Sequence, residues 1–312
     1  MSKKPLVVVC GPTASGKTRL AVDLAKYLGG EVVSADSMQI YKDMDIGTAK
    51  PTAEEMQGIK HHLVDFLLPS ESFSVARYAE SARRIIDGIH ISGKIPVMAG
   101  GTGLYIQAVT DNIQFFDMLE NIELRKKLRD EAEKLGADEM YSRLQVIDPV
   151  LAENLHPNNM GRVLRGIEVY ELTGKPLSIW QKESRAVPCE YDLCMFGLAF
   201  RDRERLYERI DLRVDQMLEA GLLQEAEELY KSEFVGTAMQ AIGYKELFGY
   251  IRGEHTLEHA TELLKRETRR YAKRQLTWFG RDERINWLYM DDGYEFAHKQ
   301  ALDLIAAERV LL

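Results

Sequence analysis

Leu6-Val7-Val8-Val9-Cys10-Gly11-Pro12-Thr13-Ala14-Ser15-Gly16-Lys17-Thr18 decides how this chain is read. Its first five residues are a short, wholly apolar run suited to a buried parallel strand. The next eight have the G-x-x-x-x-G-K-[ST] spacing of a phosphate-binding loop, whose glycines let backbone N–H groups point inward at phosphate oxygens. Gly11, Pro12, Thr13, Ala14, Ser15 and Gly16 are therefore the candidate cradle for a di- or triphosphate. Lys17 supplies the neutralising cation, and the Thr18 hydroxyl is placed to hold Mg²⁺. Leu20, Leu24 and Leu28 follow at helical spacing, with Ala21 and Ala25 beside them. Strand, loop and helix form the setting the motif requires.

Outward from this unit, apolar strand-like runs continue to alternate with amphipathic helices up to about residue 110. Gly30–Ser37 reads as a second strand ending in polar residues, and 72–91 as a helix with Val75, Tyr78, Ala82, Ile85, Ile86 and Ile89 on one face. Ile95–Ala99 reads as another buried strand, stopped by Gly100-Gly101-Thr102-Gly103. Alternation of this kind implies a parallel sheet with helices on both faces, whose ligands gather at the carboxyl ends of the strands. Cys10, Asp36 and Gly100–Thr102 all fall at such ends. Residues 116–186 change character and read as wholly helical, an insertion or lid. Tyr191–Phe200 restores a strand, and helices dominate from Arg203 to Phe279. The expected fold is α/β, a P-loop NTPase-like parallel sheet flanked by helices with a helical insertion domain. Residues 1–115 form the first part of the core, 116–190 the insertion, and 191–312 the rest of the core and the C-terminal helices.

The chain has 312 residues, enough for a sizeable core without staples. Its three cysteines, Cys10, Cys189 and Cys194, give no disulfide framework and no C-x-x-C spacing, which points to a reducing cytoplasm. The first apolar run is too short for the core of a signal peptide and no stretch approaches the length of a membrane span, so neither is expected. The net charge of −8 argues against a nucleic-acid partner, but the distribution reverses that. Between Lys265 and Arg284 there are eight basic residues against three acidic ones. This is a local electrostatic footprint on an acidic body.

Several residues have two readings. A carboxylate at Asp36, beside the loop, can accept a proton from an incoming nucleophile, or it can cap a turn. Gly100–Gly103 can shape a site or merely form a tight turn before a helix. Arg209 and Arg213, four apart on one helical face, can clamp a diphosphate or pair with Glu208 and Asp211. Arg269–Phe279 interleaves basic and aromatic residues as an RNA surface does, although Trp278 and Phe279 also suit a core. His61-His62 and the cysteines lack further ligands at metal-site spacing. The strand Ile95–Ala99 ends in Gly-Gly rather than the aspartate of a Walker-B strand, which points away from motors and ATPases toward small transferases.

Taken in order, these pieces resemble the tRNA dimethylallyltransferase (bacterial tRNA isopentenyltransferase) family. The resemblance rests on Gly11–Thr18, Ser34–Tyr41, Asp45–Pro51, His61–Asp65, Gly100–Tyr105, His156-Pro157-Asn158 with Arg162 and Arg165, Gly174-Lys175-Pro176, Ala241–Lys245 and Lys273–Phe279. It runs from about residue 6 to 280. Asp111–Leu119 departs from it, lacking the proline-rich link expected before Arg125. It implies transfer of a dimethylallyl group from its diphosphate to the N6 amine of the adenosine 3′ of the anticodon, with Mg²⁺ as cofactor and the tRNA anticodon stem-loop as partner. The protein is then a cytoplasmic monomer away from membranes. By the same resemblance the phosphate loop with Arg209 and Arg213 holds the leaving pyrophosphate, Asp36 takes the amine's proton, and Thr102 hydrogen-bonds near the reacting centre. The residues matching tRNA contacts are Asp36, Ser37, Met38, Gln39, Thr102, Arg125, Gly161, Arg162, Val163, Leu164 and Arg165. They continue with Gln240, Ala241, Ile242, Gly243, Tyr244, Lys245, Lys273, Arg274, Gln275, Leu276, Thr277, Trp278, Phe279 and Gly280. The competing readings are a small-molecule kinase using ATP and a non-catalytic RNA-binding nucleotide switch.

Overall fold

The apolar run at the N-terminus becomes strand β1 (Lys4–Cys10), whose last five residues are fully buried. In the computed structural model, which describes residues 3–113, 121–184, 186–232 and 236–307, β1 lies near the middle of a six-stranded sheet. The others are β2 (Glu31–Ser34), β3 (His61–His62), β4 (Pro96–Gly100), β5 (Tyr191–Ala199) and β6 (Ile285–Tyr289). Their order is β3-β2-β4-β1-β5-β6, and every pairing is parallel. The expected α/β parallel sheet flanked by helices is what forms.

Crossover handedness explains the layers. The β1-to-β2 connection runs one way across the sheet and the β3-to-β4 connection runs back, so right-handed crossovers put their helices on opposite faces. The first helix, Lys17–Tyr27, packs Leu20, Ala21 and Leu24 against Val7, Val9, Val32 and Phe196, together with Ala297, Ala301 and Ile305 of the helix Tyr294–Ala307. The second, Val75–Ile91, buries Tyr78, Ala82, Ile86 and Ile89. The Tyr78 hydroxyl donates to Ser34 O at 2.9 Å, and its ring stacks on Tyr105 at 3.9 Å. A further apolar cluster gathers Tyr41, Met44, Val214, Leu222, Tyr244, Leu247 and Leu264 from the loop after β2 and the later helices.

Register brings the strand ends level. Cys10 pairs with Gly100 of β4 and with Gly197 of β5, while Ser34 of β2 pairs with Ala99. The topological switch lies beside β1, so the loops after β1, β2 and β4 open onto one crevice. The two histidines of β3 are structural: His62 Nε2 meets Glu31 Oε2 at 2.6 Å and His61 Nδ1 meets Ile59 O at 2.9 Å.

The chain divides into two compact units, Met1–Thr110 with Glu190–Leu312, and Asp111–Cys189. The boundary read from sequence at 115/116, and most of the departing stretch Asp111–Leu119, lie outside the described residues. The second unit consists of helices Ile122–Leu135, Ala137–Ile147, Pro149–Ala152, Met160–Thr173 and Leu177–Ser184. Its core is Leu128, Met140, Leu144, Ala152, Val163 and Ile167. Among the described residues no helix is long and apolar enough to cross a membrane.

Candidate active site

The helix Lys17–Tyr27 starts at Gly16, which has φ +96° and supplies no side-chain cap. Its first N–H groups therefore remain available to an anion, reinforced by the positive end of the helix dipole. The loop ahead of it is held from outside the motif. Gln275, on the helix Leu257–Phe279, accepts the Thr13 N–H at 2.9 Å and donates to Gly101 O at 3.0 Å. One buried amide thus ties the phosphate loop to the turn after β4. A Cβ on Gly101 would stand 2.1 Å from Gln275 Nε2, so any larger residue there would displace this amide. Within the loop, Ser15 Oγ donates to Pro12 O at 2.8 Å.

Lys17 Nζ folds back to donate to the same Pro12 O at 2.5 Å. Burial pulls its ammonium down to about 8, opposed by the Asp36 carboxylate and assisted by Arg213. Arg209 Nε donates to Ala14 O at 2.9 Å. Burial likewise lowers the Arg213 guanidinium from its ordinary value. Neither arginine pairs with Glu208 or Asp211 among the described residues, and Asp211 instead binds Arg269 at 2.5 Å. Both arginines are turned toward the phosphate loop.

Thr13, Ala14, Lys17 and Thr18 share a cavity of about 380 Å³ with Asp36, Arg213 and Tyr271. Ile210, Val214, Met217, Ile242 and Leu264 give it an apolar lining, and Gly47–Ala49 and Gln240–Gly243 with Lys245 form further wall. A phosphate-binding end, one carboxylate and an apolar flank in one cleft suit a substrate with a charged head and a hydrocarbon tail.

Asp36 caps a turn and also faces the cleft. Oδ1 accepts the Met38 N–H at 2.9 Å and the Gln39 N–H at 3.3 Å, a turn cap, while the residue also lines the cavity. The Thr102 hydroxyl is engaged by Ser37: Ser37 N donates to it at 3.0 Å and it stands 3.2 Å from Ser37 Oγ. Thr102 therefore braces the turn that holds Asp36. Gln39 Nε2 donates to Thr48 O at 3.2 Å and Ala49 O at 3.0 Å, and so supports the wall.

The stretches matching RNA contacts divide by burial. Lys273, Arg274, Thr277, Trp278 and Gly280 are exposed and Leu276 half-buried, whereas Gln275 and Phe279 are interior. Trp278 also leans on Gly103. In the stretch Gln240–Lys245 the ends Gln240 and Lys245 are exposed, Ile242 is half-buried, and Ala241, Gly243 and Tyr244 are buried. Ser37 and Met38 are half-buried on the cavity. In the helical unit Gly161 and Arg162 are exposed, Leu164 is half-buried, and Val163 belongs to the core. Arg125 Nε and Arg165 Nη1 grip the buried Glu168 at 2.6 and 2.7 Å, which fixes both guanidinium groups while leaving each partly exposed.

Counting charges overstates the basic helix, because Lys265 pairs with Asp215, Arg269 with Asp211 and Arg270 with Glu267. Lys273, Arg274 and Arg281 have no carboxylate partner among the described residues. Tyr271, Gly47–Ala49 and, apart from Ile242, the apolar lining were not singled out as site residues in the sequence. Burial first and the Asp36 carboxylate second push the Tyr271 phenol up to about 12, so at neutral pH it stays a hydrogen-bond donor.

The model of the IPP transferase family matches residues 39–282. A tRNA dimethylallyltransferase of Acetivibrio thermocellus is 52% identical over 289 residues, covering 92% of each chain. One from Caldanaerobacter subterraneus subsp. tengcongensis is 49% identical over 309 residues, covering 97% of this chain and 98% of the relative. Among solved structures, the full-length tRNA isopentenylpyrophosphate transferase of Bacillus halodurans superposes with TM-score 0.74 at 45% identity, covering 99% of this chain and 97% of the other. A eukaryotic dimethylallyltransferase acting on tRNA superposes with TM-score 0.83 at 33% identity, covering 98% of this chain and 79% of the other.

Proposed function

This chain belongs to the IPP transferase family, and on that premise we propose that it alkylates tRNA. The N6 amine of the adenosine 3′ of the anticodon attacks C1 of dimethylallyl diphosphate. The C1–N bond forms as the C1–O bond breaks, the electron pair leaves with pyrophosphate, and the amine proton passes to the Asp36 carboxylate. The observation that carries this reading is the single cleft holding Lys17, Arg213, Asp36 and the apolar flank of Ile210, Val214 and Met217. Lys17, Arg209, Arg213 and the N–H groups of Gly11–Thr18 stabilise charge developing on the leaving group, where fixed dipoles in a desolvated site act most strongly. The apolar flank receives the hydrocarbon.

Mg²⁺ fits the donors present. Thr18 lines the cavity, and its hydroxyl makes no hydrogen bond among the described residues. Among the described residues no group of three His, Cys, Asp or Glu is arranged as a metal cage. That suits an ion held by one hydroxyl, water and the substrate's own oxygens. When bound, Mg²⁺ neutralises part of the pyrophosphate charge.

The reactive adenine leaves the anticodon-loop stack to reach the cleft, as enzymes acting on a base require. Lys273 and Arg274, together with Arg125, Arg162 and Arg165, contact the RNA backbone. Since Lys273 and Arg274 are unpaired, the double variant Lys273→Glu, Arg274→Glu weakens tRNA binding and flattens its log–log salt dependence by about one unit or more per lost contact. Arg270→Gln, whose wild-type charge is shared with Glu267, changes the slope less. Equal slopes for both variants and wild type would remove this helix from the RNA surface. A tRNA substrate also puts the protein in the cytoplasm.

The test of the reaction is transfer of label from dimethylallyl diphosphate to unmodified tRNA in the presence of Mg²⁺. Label on the adenosine 3′ of the anticodon, with no requirement for ATP, is the expected result. Folded protein that transfers nothing to competent tRNAs, but phosphorylates a small acceptor from ATP, would establish the kinase reading instead.

A further inference from the structure

Glu225 belongs to none of the stretches that mark the site in the sequence, and it does not line the cavity. It lies in the helix Leu222–Lys231, where its carboxylate accepts four hydrogen bonds. Oε2 takes the Asp45 N–H at 2.8 Å and the Ile46 N–H at 2.9 Å. Oε1 takes the Gly47 N–H at 2.9 Å and the Tyr244 hydroxyl at 2.6 Å. Three consecutive backbone N–H groups converging on an anion form a nest, filled here by the protein's own side chain.

The two groups joined by this carboxylate belong to different walls of the cleft. Gly47 leads into Thr48 and Ala49, which line one wall, and Tyr244 lies within the Gln240–Lys245 segment that lines another. Between them the fit leaves no slack. A Cβ on Gly47 would stand 2.5 Å from the Tyr244 ring, so the bare glycine backbone lies against the phenol end of that ring. On its other side the first wall is gripped independently, by Gln39 on Thr48 O and Ala49 O and by Lys50 Nζ on Tyr41 O at 2.7 Å and Asp65 at 2.7 Å. The first wall is thus braced on its far side, and Glu225 is the group that ties it to the second.

We infer that Glu225 is a positioning residue that fixes the spacing of the two walls between which the acceptor adenine is held. This rests on the proposed transfer to tRNA. The phosphate end of the cleft has its own supports, Gln275 and Arg209, which Glu225 does not touch. Loss of Glu225 therefore misaligns the nucleophile without releasing the diphosphate, and misplacement of about 1 Å can cost roughly 10² in rate.

The test compares Glu225→Ala, Glu225→Gln and Tyr244→Phe with wild type in three measurements. These are pyrophosphate affinity, tRNA affinity, and the single-turnover transfer rate with both substrates saturating. Glu225→Ala is expected to lower the rate roughly 10- to 100-fold while both affinities stay within about twofold. Glu225→Gln, which keeps one acceptor oxygen, and Tyr244→Phe, which keeps the ring on Gly47, fall in between. Should the alanine variant not fold, the other two carry the comparison. Wild-type rates in the folded variants, or loss of pyrophosphate affinity in step with rate, would overturn the inference. A wild-type protein with no transfer at all would instead defeat the reaction assignment.

Discussion

Replacing Asp36 with asparagine lowers the single-turnover transfer rate by roughly 10²–10⁴-fold, the range expected when a general base is removed, while tRNA affinity stays at the wild-type level. Asparagine is the informative substitution because of what Oδ1 already does. It caps Met38 and Gln39, and the amide oxygen of asparagine keeps accepting those two N–H groups. Asp36→Ala removes cap and base together, so it also loosens the Ser37–Gln39 turn that faces the cleft. If asparagine transfers at the wild-type rate and alanine does not, Asp36 serves only the turn, and the proton must leave by another route. If both fall alike, the base assignment stands. Rapid-quench measurement at saturating tRNA separates these cases, because the cap contributes to structure and the carboxylate to chemistry.

Lys17→Ala is expected to cost about 10²–10³ in rate, the usual price of removing one preorganised partner of developing negative charge, and to abolish tight pyrophosphate binding. Its pH dependence has a definite sign. Burial holds the ammonium down to about 8 in the free protein. Below pH 8 Lys17 is charged and binds the anion, and above it the neutral amine contributes little. Pyrophosphate affinity therefore falls as pH rises through 8. A bound anion favours the charged form and raises the pKa, so binding at pH 8 and above takes up a proton. Titration calorimetry in buffers of different ionisation enthalpy reads that uptake directly. Lys17→Arg, charged throughout, is expected to give an affinity nearly flat from pH 7 to 9. A flat wild-type profile would mean that Lys17 does not change charge in this range.

How much of this was legible in the sequence follows from what each feature depends on. The sheet could be read because β1, β2, β4 and β5 are contiguous apolar runs with helices between them. The edge strand β3, two residues long, has no periodicity to detect, and β6 lies beyond the stretch where the motifs end. In the site, the phosphate loop and Asp36 are local signals. Gln275 falls in a stretch that resembles an RNA contact, but its hold on Thr13, across 262 residues, exists only once the last long helix has docked. Glu225 gives no sequence signal, since its partners are backbone N–H groups and any segment can supply those. The basic helix shows the converse limit: composition registers its charges but not Asp211 and Asp215, which neutralise two of them from a neighbouring helix.

The tie between Gln275 and Thr13 has a consequence for how the protein is made. The amide that supports Thr13 is translated 262 residues after it. At roughly 5–20 residues per second that interval is on the order of 10–50 s, and β1 meanwhile also waits for β5. A nascent chain therefore carries the phosphate-loop sequence long before it can grip a phosphate. Competence to hold an anion at this loop arrives only with the helix that Gln275 rides on.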